Sequence, residues 1–313
     1  MHMAKKVKHQ ISSLWDLEDY LKGYQVVSLS IGPKWDYYVL AVSNPSHKKD
    51  ELFLKGNKEQ NYRVISICYG FISVIDLHNQ KNHYHFIQPI ENEYILLASA
   101  RSRYYSENDF DLNGKVFDQN GNLIREFLLG DGIQHLGVTS DNIIWTGYFD
   151  EGVFGNFGWK TPVGACGLRA WDKHGNTVYK YPNVEDHFIC DCYALNVVSD
   201  HEIWFYYYTD FLLGRIKNGV IDYFDPKISY TDTFLVYNGC FLFKSGDKNQ
   251  DQYYLMEFRK GKSLEIHKEI TFINEENEVI HADNIAYRGH QLLIRSDDKL
   301  YLVDLSTLNI WND

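Results

Sequence analysis

The sequence predicts an all-β protein, a β-propeller of six four-stranded blades with a short N-terminal helix. The first observation is an internal repeat, in which Val-Thr-Ser-Asp-Asn-Ile-Ile-Trp at 138–145 recurs as Val-Val-Ser-Asp-His-Glu-Ile-Trp at 197–204. A strand-rich repeat of roughly 40–50 residues, or a little more, is typical of propeller blades. The second observation is an aromatic content of 16%, with 24 Tyr and 18 Phe, residue types that favour half-buried strands.

Tight polar turns divide the rest of the chain into similar units. Six of them are each followed by an apolar run, and they lie at 32–33, 91–92, 141–142, 200–201, 238–239 and 289–290. Two further turns, at 118–122 and 172–176, contain Asn-Gly and His-Gly, which supply the positive φ of a hairpin. Six units of about 48 residues match a propeller. Five or seven blades remain open, because residues 51–77 show no clear pattern.

The first 23 residues read as a tail and a short helix. Ser12 and Ser13 can cap a helix in which Leu14, Leu17 and Leu21 follow at helical spacing, and Gly23 can end it. Residues 24–313 show no linker and are predicted to form a single propeller domain. The strand at 24–30 is expected to close the ring beside the last blade.

Charge and composition indicate which partners and which cellular compartment to expect. The net charge of −11, from 31 basic and 42 acidic residues, argues against a nucleic-acid backbone as partner. The N-terminus shows no secretory signal, and no apolar run reaches the ~18 residues of a membrane span. Five cysteines, an odd number, are expected to be free thiols in a reducing compartment. The sequence therefore predicts a cytoplasmic protein without a membrane partner.

Strand order predicts which segments share a face. In an up-and-down blade, the loops between the second and third strands lie on the same face as the connections between blades. Propellers usually bind ligands on this face, around the central channel. Here the segments are long and carry acids, aromatic rings and two arginines, which is typical of a pocket for a small polar ligand or a peptide. The predicted ligand-binding residues are Arg101, Arg103, His135, Asp150, Glu151, Trp159, Asp191, Tyr208 and Asp210.

Asp150 and Glu151 form the most distinctive pair on this face. Two adjacent carboxylates on a glycine-flanked loop could bind Ca²⁺, hold a hydroxyl group or act as a general base. The alternative is that the loop from Asp150 to Trp159 only packs on itself, with its glycines providing tight turns. A metal at the channel would be held by Glu151, Asp191, Asp210 and Asp232.

Three segments resemble the signatures of a known family. They are Asp-Glu-Gly-Val-Phe-Gly at 150–155, Asp-Cys-Tyr-Ala-Leu-Asn-Val at 191–197 and Tyr-Thr-Asp-Phe at 208–211. Together they look like the signatures of a family of uncharacterised bacterial proteins of similar length that read as β-propellers. The resemblance covers residues 83–240 best. It implies the propeller fold and this choice of site, and it implies no activity.

The sequence favours binding over catalysis. It contains neither a G-x-S-x-G nor an H-E-x-x-H motif, and no phosphate-binding loop. We therefore expect a propeller that binds a small polar ligand, a peptide or a protein, and that requires no cofactor. One alternative is a metal-dependent lactonase or other hydrolase, similar to the six-bladed calcium lactonases, with a divalent cation such as Ca²⁺. Another is an acidic immunity or inhibitor protein that neutralises a basic toxin. The oligomeric state remains open.

Overall fold

The computed structural model describes residues 4–43, 59–182, 185–247, 251–258 and 263–308. Its strands form six successive blades of four antiparallel strands each, and one blade carries a fifth strand in parallel. The protein is therefore an all-β, six-bladed propeller, as the sequence predicted. The described residues also contain two short α-helices, α1 (Glu18–Leu21) and α2 (Asp150–Phe154), and a 3-10 turn at Glu185–His187.

The first three blades use chain segments between residues 25 and 180. Blade 1 pairs in the order β3 (Gln25–Ile31), β4 (Tyr37–Val42), β5 (Gln60–Cys68) and β6 (Phe71–Gln80). Blade 2 pairs in the order β7 (Phe86–Ile90), β8 (Tyr94–Ala98), β11 (Gly114–Phe117) and β12 (Leu123–Phe127). A hairpin of β9 (Tyr104–Ser106) and β10 (Asp109–Phe110) stands between β8 and β11. Blade 3 pairs in the order β13 (Ile133–Val138), β14 (Ile144–Tyr148), β15 (Leu168–Trp171) and β16 (Thr177–Lys180).

The last three blades follow the same order, and two of them also take up N-terminal strands. Blade 4 contains β17 (Asp191–Ser199), β18 (Glu202–Tyr208), β19 (Leu212–Lys217) and β20 (Val220–Phe224). Blade 5 contains β21 (Phe234–Tyr237), β22 (Cys240–Lys244), β23 (Gln252–Phe258) and β24 (Leu264–Ile273), and β1 (Lys5–Gln10) joins β24 in parallel. Blade 6 contains β25 (Asn284–Arg288), β26 (Gln291–Ser296), β27 (Lys299–Asp304) and β2 (Ser13–Asp16).

All six predicted turns join the first two strands of a blade. In four of the six, the backbone explains a predicted residue, because a tight hairpin turn favours positive φ. Glu91 and Asn92 have φ of 52° and 64°, and Asn238 and Gly239 have φ of 48° and 83°. The two predicted Gly-containing outer turns likewise join β11 to β12 and β15 to β16. Residues 60–80 form β5 and β6, whereas residues 51–58 lie outside the described part of the chain.

The N-terminus differs from the prediction in two ways. The predicted helix from Ser12 onward is mostly strand, because β2 pairs with β27, and the helix itself is confined to α1. Its first amide, that of Glu18, donates to the Asp16 carboxylate at 2.9 Å. The strand expected to close the ring at 24–30 is instead the first strand of blade 1. The outer strand of the last blade comes from β2.

Apolar side chains of neighbouring sheets form the core. The inner strands are buried on both faces, and every residue of β4 and of β14 is buried. One cluster joins blades 1 and 2 through Leu40, Val64, Tyr84 and Leu97, among others. The chain divides into two compact units, each treated separately below. The N-terminal unit is Tyr20–Leu195, and the C-terminal unit is Met1–Asp19 with Asn196–Asp313.

Candidate functional site

The predicted site residues are divided between the two units. Three of them, Tyr208, Asp210 and Asp232, belong to the C-terminal unit, and the others to the N-terminal unit. Within the N-terminal unit, long loops join β8 to β11 and β14 to β15. These are the loops that the sequence predicted to carry ligand-binding residues.

Arg101 anchors these two loops. Its Nε and Nη2 donate to the two carboxylate oxygens of Asp131 at 2.9 and 3.0 Å, a bidentate pair. Its Nη1 donates to Glu151 Oε2 at 2.5 Å. The Arg101 and Asp131 side chains are 9% and 2% exposed. Burial raises the pKa of Asp131, opposed by hydrogen bonds from the Ser102 amide and from Arg101. Arg101 is therefore a buried structural cation.

The two loops are also tied to each other through their backbones. The Tyr104 amide donates to Phe157 O at 2.9 Å, and the Trp159 indole N–H donates to Ser102 O at 2.7 Å. Gly158 has φ of +90°, and a Cβ there would lie 2.3 Å from Tyr104 O. Glycine is therefore required where the loops cross. This geometry supports the self-packed alternative for the segment from Asp150 to Trp159.

Aromatic rings complete this packing. The Arg101 guanidinium lies 4.0 Å from the centre of the Phe157 ring, and that of Arg103 lies 5.1 Å from it. The Trp159 ring packs against Tyr104, with ring centres 5.0 Å apart. The Arg101, Arg103 and Trp159 side chains therefore contact the protein's own loops. Of these three residues, only Arg103 is exposed.

Helix α2 presents Asp150 and Phe154 to solvent. The helix packs tightly on the connection before β13, where a Cβ on Gly132 would lie 2.3 Å from the Gly152 Cα. Because the middle residue of α2 makes this contact, the two ends of the helix face solvent. Phe154 is 64% exposed. Residues four apart lie on the same helix face, so Asp150 and Phe154 are neighbours.

Asp191, at the start of β17, faces this helix. Its carboxyl is half-buried, and the pKa is raised to about 6, first by burial and then by the negative charge of Asp150. Three residues earlier, the Phe188 ring lies 6.1 Å from that of Phe154, centre to centre. Among the described residues, neither Asp150 nor Asp191 forms an ion pair. We call Asp150, Phe154, Phe188 and Asp191 the acidic–aromatic site.

His135 and Glu151 have partners of their own. The His135 Nε2 atom lies 2.8 Å from Tyr193 O and so links β13 to β17. The Glu151 carboxylate is 45% exposed, and hydrogen bonds from Arg101 and Asn156, opposed by burial, lower its pKa. Glu151 follows Asp150 in the sequence, and His135 contacts the strand that begins with Asp191. Both residues therefore lie beside the acidic–aromatic site, and both hold neighbouring segments together.

A second group of aromatic rings lies in the C-terminal unit. Phe211, in the turn between β18 and β19, packs against Tyr208 and Tyr230, with ring centres 5.4 and 4.7 Å away. Tyr208 and Tyr230 are 40% and 64% exposed, and Asp210 beside them is exposed. Phe211 and Tyr230 both have positive φ, of 54° and 62°, which is strained for aromatic residues. We call this set the tyrosine group.

Metal binding receives no support from the described residues. No three His, Cys, Asp or Glu side chains among them are grouped so that they could hold a metal ion. Two of the four predicted ligands have other partners, because Glu151 pairs with Arg101 and Asp232 accepts a 2.9 Å hydrogen bond from Thr233. All five cysteines are free thiols. Within the described ranges, no helix is long and apolar enough to cross a membrane.

Sequence reasoning missed three residues that matter here. Asp131 lies in a connection between blades and was left out of the predicted ligand-binding residues, although it holds Arg101. Phe188 and Tyr230 were missed because each lies in a connection between blades, with no apolar pattern around it. An aromatic residue a few positions from a predicted acidic site residue was the available signal.

Comparison with known proteins assigns no family to this chain. No protein-family model matches the sequence, and no curated protein matches it. Among solved structures, the chain is similar to YCF48 bound to D1 peptide (8% identity, 96% of this chain and 98% of that chain, TM-score 0.49). It is similar to the PQQ-bound aldose sugar dehydrogenase of Streptomyces coelicolor (10%, 95% and 96%, TM-score 0.48) and to a gluconolactonase of Xanthomonas campestris (12%, 97% and 97%, TM-score 0.44). At such low identity, these similarities assign no activity to this chain.

Proposed function

We propose that this protein is a non-catalytic binding propeller that recognises positively charged groups of a peptide or protein partner. The main observation behind this proposal is the pair of carboxylates, Asp150 and Asp191, in the acidic–aromatic site. The negative charge of Asp150 disfavours ionisation of Asp191, and no described cation neutralises the pair. A guanidinium or ammonium group between them would remove this repulsion.

The rings beside the carboxylates favour the same kind of ligand. Phe154 and Phe188 offer a cation an aromatic face, and they offer the aliphatic stem of Arg or Lys an apolar surface. An acid next to an exposed ring is a poor match for an anionic ligand. It suits a basic side chain, which combines a charged head with an apolar stem.

The same chemistry recurs in the tyrosine group. Asp210 stands beside Tyr208 and Phe211, and Tyr230 extends the exposed aromatic surface. The net charge of −11 adds a long-range attraction that speeds encounter with basic partners. A basic toxin, as in the immunity-protein alternative, would be one such partner.

Removal of both carboxylate charges tests the proposal. The probe is a fluorescent peptide of alternating Arg and Gly. The control peptide is its neutral isostere, in which citrulline replaces each Arg. In fluorescence anisotropy, Asp150→Asn with Asp191→Asn should weaken Arg-peptide binding about tenfold, or about 1.4 kcal/mol. Glu151 is left intact, because its loss would release Arg101.

The matched control removes the same charge elsewhere in the N-terminal unit. Glu93→Gln with Glu107→Gln changes two exposed acids and should lower the affinity only slightly. The proposal fails if the Asp150/Asp191 double variant binds the Arg peptide as tightly as the Glu93/Glu107 double variant does. It also fails if the citrulline peptide binds the wild-type protein as tightly as the Arg peptide does.

A further inference from the structure

The tyrosine group differs from the acidic–aromatic site in its proportion of rings to charges. The acidic–aromatic site combines two carboxylates with two rings. The tyrosine group has one carboxylate, that of Asp210, and three rings, those of Tyr208, Phe211 and Tyr230. A guanidinium or ammonium group donates several hydrogen bonds and needs several acceptors. The tyrosine group therefore suits a cation that has few N–H donors.

Phe211 forms the base of the tyrosine group. The buried Tyr206 ring lies 6.0 Å from it, with 24° between the two planes, and the Tyr206 hydroxyl donates to Ile228 O at 2.6 Å. The Tyr208 and Tyr230 rings lie 5.4 and 4.7 Å from Phe211 and are tilted from it by 58° and 62°. Both tyrosines are exposed, whereas Phe211 is half-buried. Two tilted rings therefore stand beside a third that rests on the core.

The backbone around Tyr230 holds its ring in position. Its φ of 62° costs energy for an aromatic residue, so neighbouring contacts must impose it. Thr231 is buried, and its Oγ1 donates to Lys244 O at 2.8 Å. Gly246 packs so closely on Ser229 O that it leaves no room for a Cβ. Strain of this kind is found where a protein clamps a ligand, and it fixes the ring in advance.

We infer that the tyrosine group binds the methylated ammonium group of a lysine side chain in a peptide or protein partner. Aromatic faces attract a positive charge, and they accept N–H groups poorly. An unmodified ammonium would give up hydrogen bonds to water among these rings. Methylation keeps the charge and covers it with apolar groups. The exposed Asp210 adds the complementary charge. The inference rests on the proposed function, which supplies a cationic partner, and it names the cation.

The exposure of the two tyrosines favours a side chain over a free small molecule. Tyr208 and Tyr230 are 40% and 64% exposed, so the group is open to solvent. Sites for free small ligands usually enclose about 70–90% of the ligand surface. An open group of rings can hold only the end of a ligand. A larger partner, which makes further contacts around the group, must therefore deliver the cation.

A fluorescent peptide of Gly and Ser around one trimethyllysine tests the inference by anisotropy with the full chain. One comparison peptide contains unmodified Lys, and the other contains a neutral isostere in which a tert-butyl group replaces the trimethylammonium. Trimethyllysine and Lys carry the same charge, so the net charge of −11 attracts both alike. The trimethyllysine peptide should bind at least about fivefold more tightly than either comparison peptide. If it binds no more tightly than one of them, the inference is wrong.

Substitutions of Tyr230 locate the binding. Tyr230→Asn removes the ring, and Asn tolerates positive φ, so this variant should melt no lower than the wild type. It should bind the trimethyllysine peptide at least about fivefold more weakly. Tyr230→Phe keeps the ring and should bind within about twofold of the wild type. Equal affinities of the two variants would overturn the inference, and the comparison of peptides on the wild-type protein does not depend on either variant.

Two further measurements separate this inference from the proposed function and from a free ligand. The variant with Asp150→Asn and Asp191→Asn keeps the tyrosine group and should bind the trimethyllysine peptide like the wild type. If it loses as much affinity as Tyr230→Asn does, the methylated cation binds elsewhere and the inference fails. Free choline should displace the peptide only far above the peptide's own Kd. Displacement at that Kd would contradict a site for a partner's side chain.

Discussion

Arg101 shows how one buried side chain holds two loops in place. Its guanidinium binds Asp131 with two hydrogen bonds and Glu151 with a third, while lying over the Phe157 ring. Sequence reasoning placed it among the ligand-binding residues because a cation in an acidic loop suggests a contact with a ligand. Its burial could not be read from the sequence, since it depends on a carboxylate 30 positions away.

Loss of Arg101 should destabilise the fold. In Arg101→Leu, the nearly buried Asp131 carboxylate keeps its contacts with the Ser102 and Gly132 amides and loses its cation. The free energy of unfolding should fall by about 3–5 kcal/mol, the usual cost of breaking a buried ion pair. Urea denaturation followed by circular dichroism measures this change.

Arg103→Leu is the matched control for that measurement. Arg103 is exposed and lies over the same Phe157 ring, so its loss should change the stability by less than about 1 kcal/mol. Equal effects of the two substitutions would show that Arg101 is not the anchor of these loops.

At the scale of single elements, local turns were predictable and distant pairings were not. The first hairpin of each blade was found because its short polar turn can be recognised from neighbouring residues, as at Asn238 and Gly239. β2 was mistaken for helix because Leu14, Leu17 and Leu21 have helical spacing, while its true partner, β27, lies almost 300 residues away in the sequence. β1 was missed for the same reason.

The two N-terminal strands should contribute differently to stability. A chain that begins at Leu17 loses β2 and leaves blade 6 with three strands, and it also loses Ile11, which packs on a core cluster. Its melting temperature should fall by roughly 5–10 °C. Differential scanning calorimetry measures the change.

A chain that begins at Ile11 serves as the comparison. It loses only β1, whose alternate side chains are exposed, and it keeps the complete blade 6. Its melting temperature should fall less. If the shorter and the longer truncation melt at the same temperature, β2 does not complete the blade as described.

For the whole molecule, strand order predicted that residues distant in the sequence lie close together. Asp150 and Asp191 are 41 residues apart, and their proximity followed from assigning both to the same face of adjacent blades. Which carboxylates lack a cation could not be predicted, because that depends on side-chain contacts. Glu151, adjacent to Asp150 in sequence, pairs with Arg101, whereas Asp150 is left without a described cation.

The central claim is that a cation binds at Asp191, and the pKa of that carboxyl tests it most directly. In the free protein the pKa is raised to about 6, so Asp191 loses its charge as the pH falls through this value. A bound cation favours the ionised form and must lower the pKa, so affinity for the Arg peptide should fall below pH of about 6. Carboxyl ¹³C NMR, titrated with and without the Arg peptide, should show a pKa near 6 that drops when the peptide is added. An Asp191 pKa that the peptide leaves unchanged would contradict the account.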